Sequence, residues 1–80
     1  MTIYHIMNIR KNFHWLSTRT VEDARKTIQL SETPHEYAIY TNTILAENII
    51  KAGKYKDLVY IEQDLESFHK SIDYLFNSEV

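Results

Sequence analysis

The sequence predicts an α/β fold, with α+β as the alternative. It is read as a single small domain in which a three- or four-stranded sheet packs with three helices in the order β-(β)-α-β-α-β-α. Three observations carry this reading. Short runs rich in β-branched and aromatic residues alternate with segments whose apolar residues recur at helical spacing. Only one glycine and one proline occur, so regular elements dominate over loops. The 80 residues are 44% hydrophobic and 25% charged, the mixture of one globular core and too short for two.

The first element is the segment Thr2 to Ile9, TIYHIMNI. It carries apolar residues on both alternating faces, as a strand covered on both sides does. Thr20-Val-Glu-Asp23 forms a capping box with Asp in the place of the usual Glu or Gln. It opens a helix with Val21, Ala24 and Ile28 on one stripe, and Ser31-Glu-Thr-Pro34 ends it. Glu36 to Thr41 (EYAIYT) reads as a second strand. Asn42 or Thr43 then caps a helix with Leu45, Ile49 and Ala52 on its stripe, and Gly53 is expected at its left-handed C-terminal position. Leu58 to Ile61 (LVYI) is expected as a further strand. Asp64 caps the last helix, where Leu65, Phe68, Ile72, Leu75 and Phe76 form a broad apolar face, and Asn77 ends it. Alternation of this kind favours parallel neighbours joined by right-handed crossovers.

One connection is too long. Ten residues, RKNFHWLSTR, separate Ile9 from Thr20, where two to six are usual for about this kind of link. Phe13 and Trp15 alternate with His14 and Leu16, as in a hairpin partner to the first strand turned at Arg10-Lys11-Asn12. Ile9, Phe13 and Leu16 also match helical spacing at i, i+4, i+7. The extra strand is preferred, antiparallel to the first.

Charge is unevenly distributed about a net of −2. Residues 1–31 hold five cations (Arg10, Lys11, Arg19, Arg25, Lys26) against two acids, and residues 32–80 hold four lysines against nine acids. A basic first third could touch phosphates, but these totals make a weak nucleic-acid face and a weaker acidic mimic. Glu22/Lys26, Glu47/Lys51 and Glu66/Lys70 each place an acid four residues before a lysine, the favourable order on a solvated helix face.

Several chemistries are excluded or disfavoured by residue counts. The absence of cysteine removes disulfides, thiolate metal sites and thiol nucleophiles. One glycine cannot build a phosphate-binding loop, a dinucleotide fingerprint or a nucleophile elbow. His5, His14, His35 and His69 have no metal-ligand spacing and are expected as partly exposed surface imidazoles. No cofactor, metal or catalytic constellation is therefore expected, and the chain is read as non-enzymatic. It has no apolar run long enough for a membrane span and no secretory leader, so a cytoplasmic location is expected.

Three functional readings remain. The first is docking on a larger protein, as an inhibitor, adaptor or assembly factor, through Arg10, Lys11, Phe13, Trp15 and Arg19. Arginine and aromatic residues dominate interface energies, and this segment is surplus to the sheet unless its rings fill the core. A phage-encoded modulator of a host protein would suit the size and the low glycine content. The second is nucleic-acid binding, with Phe13 and Trp15 stacking on unpaired bases. The third is a small-ligand rim at the carboxyl ends of the strands, formed by Asn8, Thr41, Asn42, Thr43, Glu62 and Asp64, although helix capping alone accounts for several of these. A homodimer joined at sheet edges is compatible with each reading.

Overall fold

The computed structural model describes residues 2–57 and 61–77, with side chains described outside residues 53–64. The elements are β1 (Tyr4–Asn8), β2 (Phe13–Thr18), α1 (Val21–Gln29), a 3₁₀ turn (Pro34–Glu36), β3 (Tyr37–Tyr40), α2 (Thr43–Asp57) and α3 (Ile61–Asn77). The fold is α+β.

The long connection does contain a strand. β1 and β2 pair antiparallel from Tyr4↔Thr18 to Asn8↔Phe13. Asn8 Oδ1 accepts from the backbone N–H groups of Arg10 (3.1 Å) and Lys11 (2.8 Å), and Asn12 takes φ 57°. Asparagine tolerates that left-handed conformation better than a β-branched residue, which is why this turn closes without glycine. The register then slips: Ile6 faces Leu16 while Met7 faces His14, leaving Trp15 as a bulge. The bulge explains the ambiguous spacing of this segment. Phe13 and Leu16 are three residues apart yet share the face of Asn8 and Ile6, as on a helix, because one residue has been inserted into the alternation.

The expected parallel pairing is corrected. The strand order is β2-β1-β3, and β3 also pairs antiparallel with β1, from His5↔Tyr40 to Asn8↔Tyr37. The β2–α1–β3 crossover still joins two strands that run the same way, but β1 lies between them. The hairpin fills the place that a directly adjacent parallel strand would have taken.

Two further expectations change. α2 continues through Gly53 to Asp57. An isolated glycine costs a helix about 1 kcal/mol relative to alanine and does not by itself end it. The expected strand at Leu58–Ile61 falls largely outside the described residues, and its last residue, Ile61, already belongs to α3. The element order is thus β-β-α-β-α-α.

Two of the expected caps form, whereas Asp64 lies inside α3, which begins at Ile61. Thr20 Oγ1 accepts from the Asp23 N–H (3.2 Å), and Asn42 Oδ1 accepts from the Leu45 N–H (3.0 Å). The Glu47–Lys51 and Glu66–Lys70 pairs form at 2.9 and 3.1 Å on helix surfaces.

Register divides the sheet into two faces. On one, Met7 joins Ala46, Ile50 and Phe68 in the main core, with Tyr40, Ile49, Leu65 and Ile72 packed around it. His5, His14 and Ser17 share this face, under α2 and α3. On the other, Ile6 is fully buried and α1 lies against the hairpin with Ala24 buried. α1 is nine residues long, so it covers only part of that face.

Candidate functional site

Beyond the C-terminal end of α1, the second face of the sheet is left open by the described residues. There Phe13 and Trp15 of β2 meet Tyr37 of β3. The Trp15 and Tyr37 rings are 4.9 Å apart and tilted by 41°, and Phe13 meets Tyr37 edge-on at 6.3 Å. All three rings are half-buried. They floor an open groove of about 620 Å³, walled by Thr27, Leu30 and Ser31 on one side and rimmed by Lys11 and Glu32. Leu30, past the last turn of α1, is 87% exposed.

Glu36 fastens the hairpin turn to this groove. Its buried carboxylate receives Arg10 Nη1 at 2.8 Å, and its carbonyl accepts the Ile9 N–H at 2.8 Å. The Arg10 hydrogen bond holds the carboxyl below the usual carboxylate range, helped by Thr33 and opposed by burial. Arg10 is therefore tied at its tip, although most of its side chain is exposed.

The five residues expected to form one patch divide. Lys11, Phe13 and Trp15 line the groove, and Arg10 reaches it through Glu36. Arg19 lies at the other end of β2, roughly 20 Å away by strand rise. It points Nη2 toward the Leu75 carbonyl at 3.5 Å. Leu30 and Tyr37 join the groove without a sequence signal, since only the crossover brings them beside β2.

The small-ligand rim also divides. Asn8 is buried in the hairpin turn, at the end of the sheet opposite to Thr41, Asn42 and Thr43. Glu62 and Asp64 fall within α3 rather than before it, and their side chains lie outside the described residues. The antiparallel pairing causes this: the end of β1 meets the start of β3. β2 and β3 both end at the edge beside Thr41–Thr43.

That edge holds a polar cluster that residue spacing did not reveal. His5 and His14 are buried rather than surface imidazoles, whereas His35 and His69 are exposed. Ser17 Oγ lies 2.8 Å from His5 Nδ1 and 2.9 Å from His14 Nε2, and His5 Nε2 lies 3.0 Å from Thr43 Oγ1. Phe68 of α3 packs against both rings at 4.8 Å. Neither ring meets a carboxylate among the described residues, so burial disfavours the charged form. It pushes both pKa values from the usual 6.5 down to about 4. For His14 the neighbouring His5 lowers the value further, and the Leu16 backbone opposes it.

One hydroxyl proton cannot be donated to two rings. His14 Nδ1 is buried without a hydrogen-bond partner. An orphaned lone pair costs less than an orphaned N–H, which assigns the His14 proton. With the His14 proton on Nε2, that N–H donates to Ser17, and a consistent chain continues from the Ser17 O–H to His5 Nδ1 and from the His5 Nε2–H to Thr43.

Among the described residues no group of three or more His, Cys, Asp or Glu is placed to hold a metal ion, and no helix is long and apolar enough to cross a membrane. Comparison with protein families, curated proteins and solved structures finds no match.

Proposed function

We propose that this protein is a docking domain that binds a larger protein through the groove of Phe13, Trp15 and Tyr37, as an inhibitor, adaptor or assembly factor. The observation that carries the reading is the three-ring floor left uncovered by the short helix α1, with Leu30 exposed beside it. Half-buried rings held by their neighbours present apolar area at little further entropic cost on binding. The occupant suited to this surface is an apolar side chain of the partner, seated over Trp15 and Tyr37. Lys11 on the rim favours an adjacent acidic residue.

Nucleic-acid binding is supported less well. Arg10 is committed to Glu36, and Arg19 is at the far end of β2, so these two do not join Lys11 in one free cationic patch.

The test is co-purification of the native partner with wild-type protein and with Leu30→Asp and Lys11→Glu. Both positions are exposed, so both variants should keep the wild-type circular dichroism and melting temperature. Loss of the partner in both supports the groove. Retention in both refutes it. Binding to oligonucleotides that falls steeply with salt would favour the second reading.

A further inference from the structure

We propose that Ser17 is a nucleophile toward activated carboxylic esters, with His5 as its general base and Thr43 as the residue that positions that base. The inference is independent of the docking groove, which lies at the other end and on the other face of the sheet.

Nucleophilic serine requires a neutral base within hydrogen-bond reach, oriented by a third group. Ser17 Oγ, His5 Nδ1, His5 Nε2 and Thr43 Oγ1 form that series with separations of 2.8 and 3.0 Å. Thr43 occupies the orienting place that a carboxylate often fills. His14 Nε2 at 2.9 Å contributes from the other side. By donating to Oγ it fixes the hydroxyl rotamer and favours loss of the proton toward His5.

The serine also has an approach. Ser17 is half-buried and lines an open groove of about 590 Å³ shared with Glu66, Ser67, Lys70, Ser71, Tyr74 and Leu75 of α3. The serine and tyrosine hydroxyls supply donors for a carbonyl oxygen, while the Lys70 ammonium is paired with Glu66. Ser17 itself stands near the end of β2, paired with His5 of β1.

In the reaction, Oγ bonds to the carbonyl carbon as its proton passes to His5 Nδ1. The carbon–oxygen bond to the leaving group then breaks, and His5 returns the proton to the departing oxygen. Water repeats the sequence on the acyl-serine, releasing the acid and restoring Ser17. No oxidant or metal is required. Among the described residues neither imidazole meets a carboxylate that would stabilise its charged form, so turnover is slow and restricted to good leaving groups. The ionisable groups of the packed helices with described side chains are Glu47 and Lys51 on α2 and Glu66, His69, Lys70, Asp73 and Tyr74 on α3. Of these, Glu47 pairs with Lys51 and Glu66 with Lys70.

The experiment is covalent labelling by a small alkyl fluorophosphonate, located by peptide mass spectrometry, with p-nitrophenyl acetate hydrolysis measured in parallel. Wild-type protein should carry one adduct, on Ser17, and Ser17→Ala should carry none. Thr43→Val keeps the side-chain shape and the exposed helix start but removes the hydroxyl. It should slow labelling roughly tenfold, about 1.4 kcal/mol, with unchanged circular dichroism. Labelling should stay level from about pH 8 down to about pH 5.5, because His5 remains neutral there, whereas an unshifted imidazole base would lose rate. Absence of an adduct, equal labelling of Ser67 or Ser71, or an undiminished rate in Thr43→Val would each overturn the proposal.

Discussion

His5 and Thr43 are 38 positions apart in the chain, yet the imidazole Nε2 of one lies 3.0 Å from the hydroxyl of the other. This bond ties the middle strand to the first turn of α2. Through Ser17 it continues across the hairpin to His14. A polar chain thus runs along the boundary between the sheet and the α2–α3 layer, sealed by Phe68. Burial there disfavours the charged form of both imidazoles.

Acid should therefore weaken the fold before ordinary carboxylates titrate. Each folded-state pKa, about 4, lies below the usual 6.5, so the unfolded chain binds more protons between those values. Stability is complete above about pH 6.5, declines as pH falls toward 4, and levels below it, losing up to about 3 kcal/mol per ring. Urea unfolding at a series of pH values measures this decline. His14→Gln, compared with wild type, should show a shallower slope between pH 4 and 6.5, whatever its stability at pH 7.

Removing the Arg10 guanidinium should release Glu36. In Arg10→Met the Glu36 carboxyl should rise toward its usual 4.5, since the first cause of its depression is the Arg10 hydrogen bond. A depressed carboxyl stabilises the fold above its unfolded pKa and loses that contribution as pH falls through the folded value. Carbon-detected NMR titration of the Glu36 carboxyl reads the change directly. An unchanged value would mean that Thr33 and Asn8 hold the carboxylate alone.

Trp15 should be neither indispensable nor neutral. Trp15→Ala removes a half-buried ring packed at a tilt against Tyr37 and should cost about 2 kcal/mol. Leu30→Ala, at an exposed site, should stay within about 0.5 kcal/mol of wild type. Thermal unfolding of the two variants distinguishes the supporting ring from the free edge of the groove. A fully unfolded Trp15→Ala would place the indole in the core and remove it from any docking surface.

The two helix caps provide a calibration. Thr20→Ala should cost about 1 kcal/mol, or about 4–8 °C in a domain of this size, by stripping the Asp23 N–H of its acceptor. Asn42→Ala should have a similar effect through Leu45. Loss at both sites with glycine substitutions costing only a few tenths of a kcal/mol would identify side-chain capping as the cause.

Legibility followed the range of each interaction. Thr20-Val-Glu-Asp23 declared the start of α1, the run TIYHIMNI declared a doubly covered strand, and the stripe with Phe68 declared α3. Each of these depends on residues a few positions apart. Gly53 misled because a glycine marks a helix end only when tertiary packing lets the chain turn there. His5 and His14 misled in the opposite direction. Their spacing matches no metal motif, but His5 stands between Tyr4 and Ile6 in the most apolar strand, where burial was the stronger signal.

Composition and local pattern by themselves determined that this chain makes one small core, where α1, β1, β3 and α3 lie, and that Phe13 and Trp15 were distinctive. Tertiary structure alone decided that β1 lies between β2 and β3, that Tyr37 and Leu30 stand beside Trp15, and that Ser17 comes between two buried imidazoles. The physical reason is reach. Helix stripes, caps and strand alternation are set by neighbours within a turn or two, whereas strand order and the bulge at Trp15 depend on which distant surfaces bury the most apolar area together.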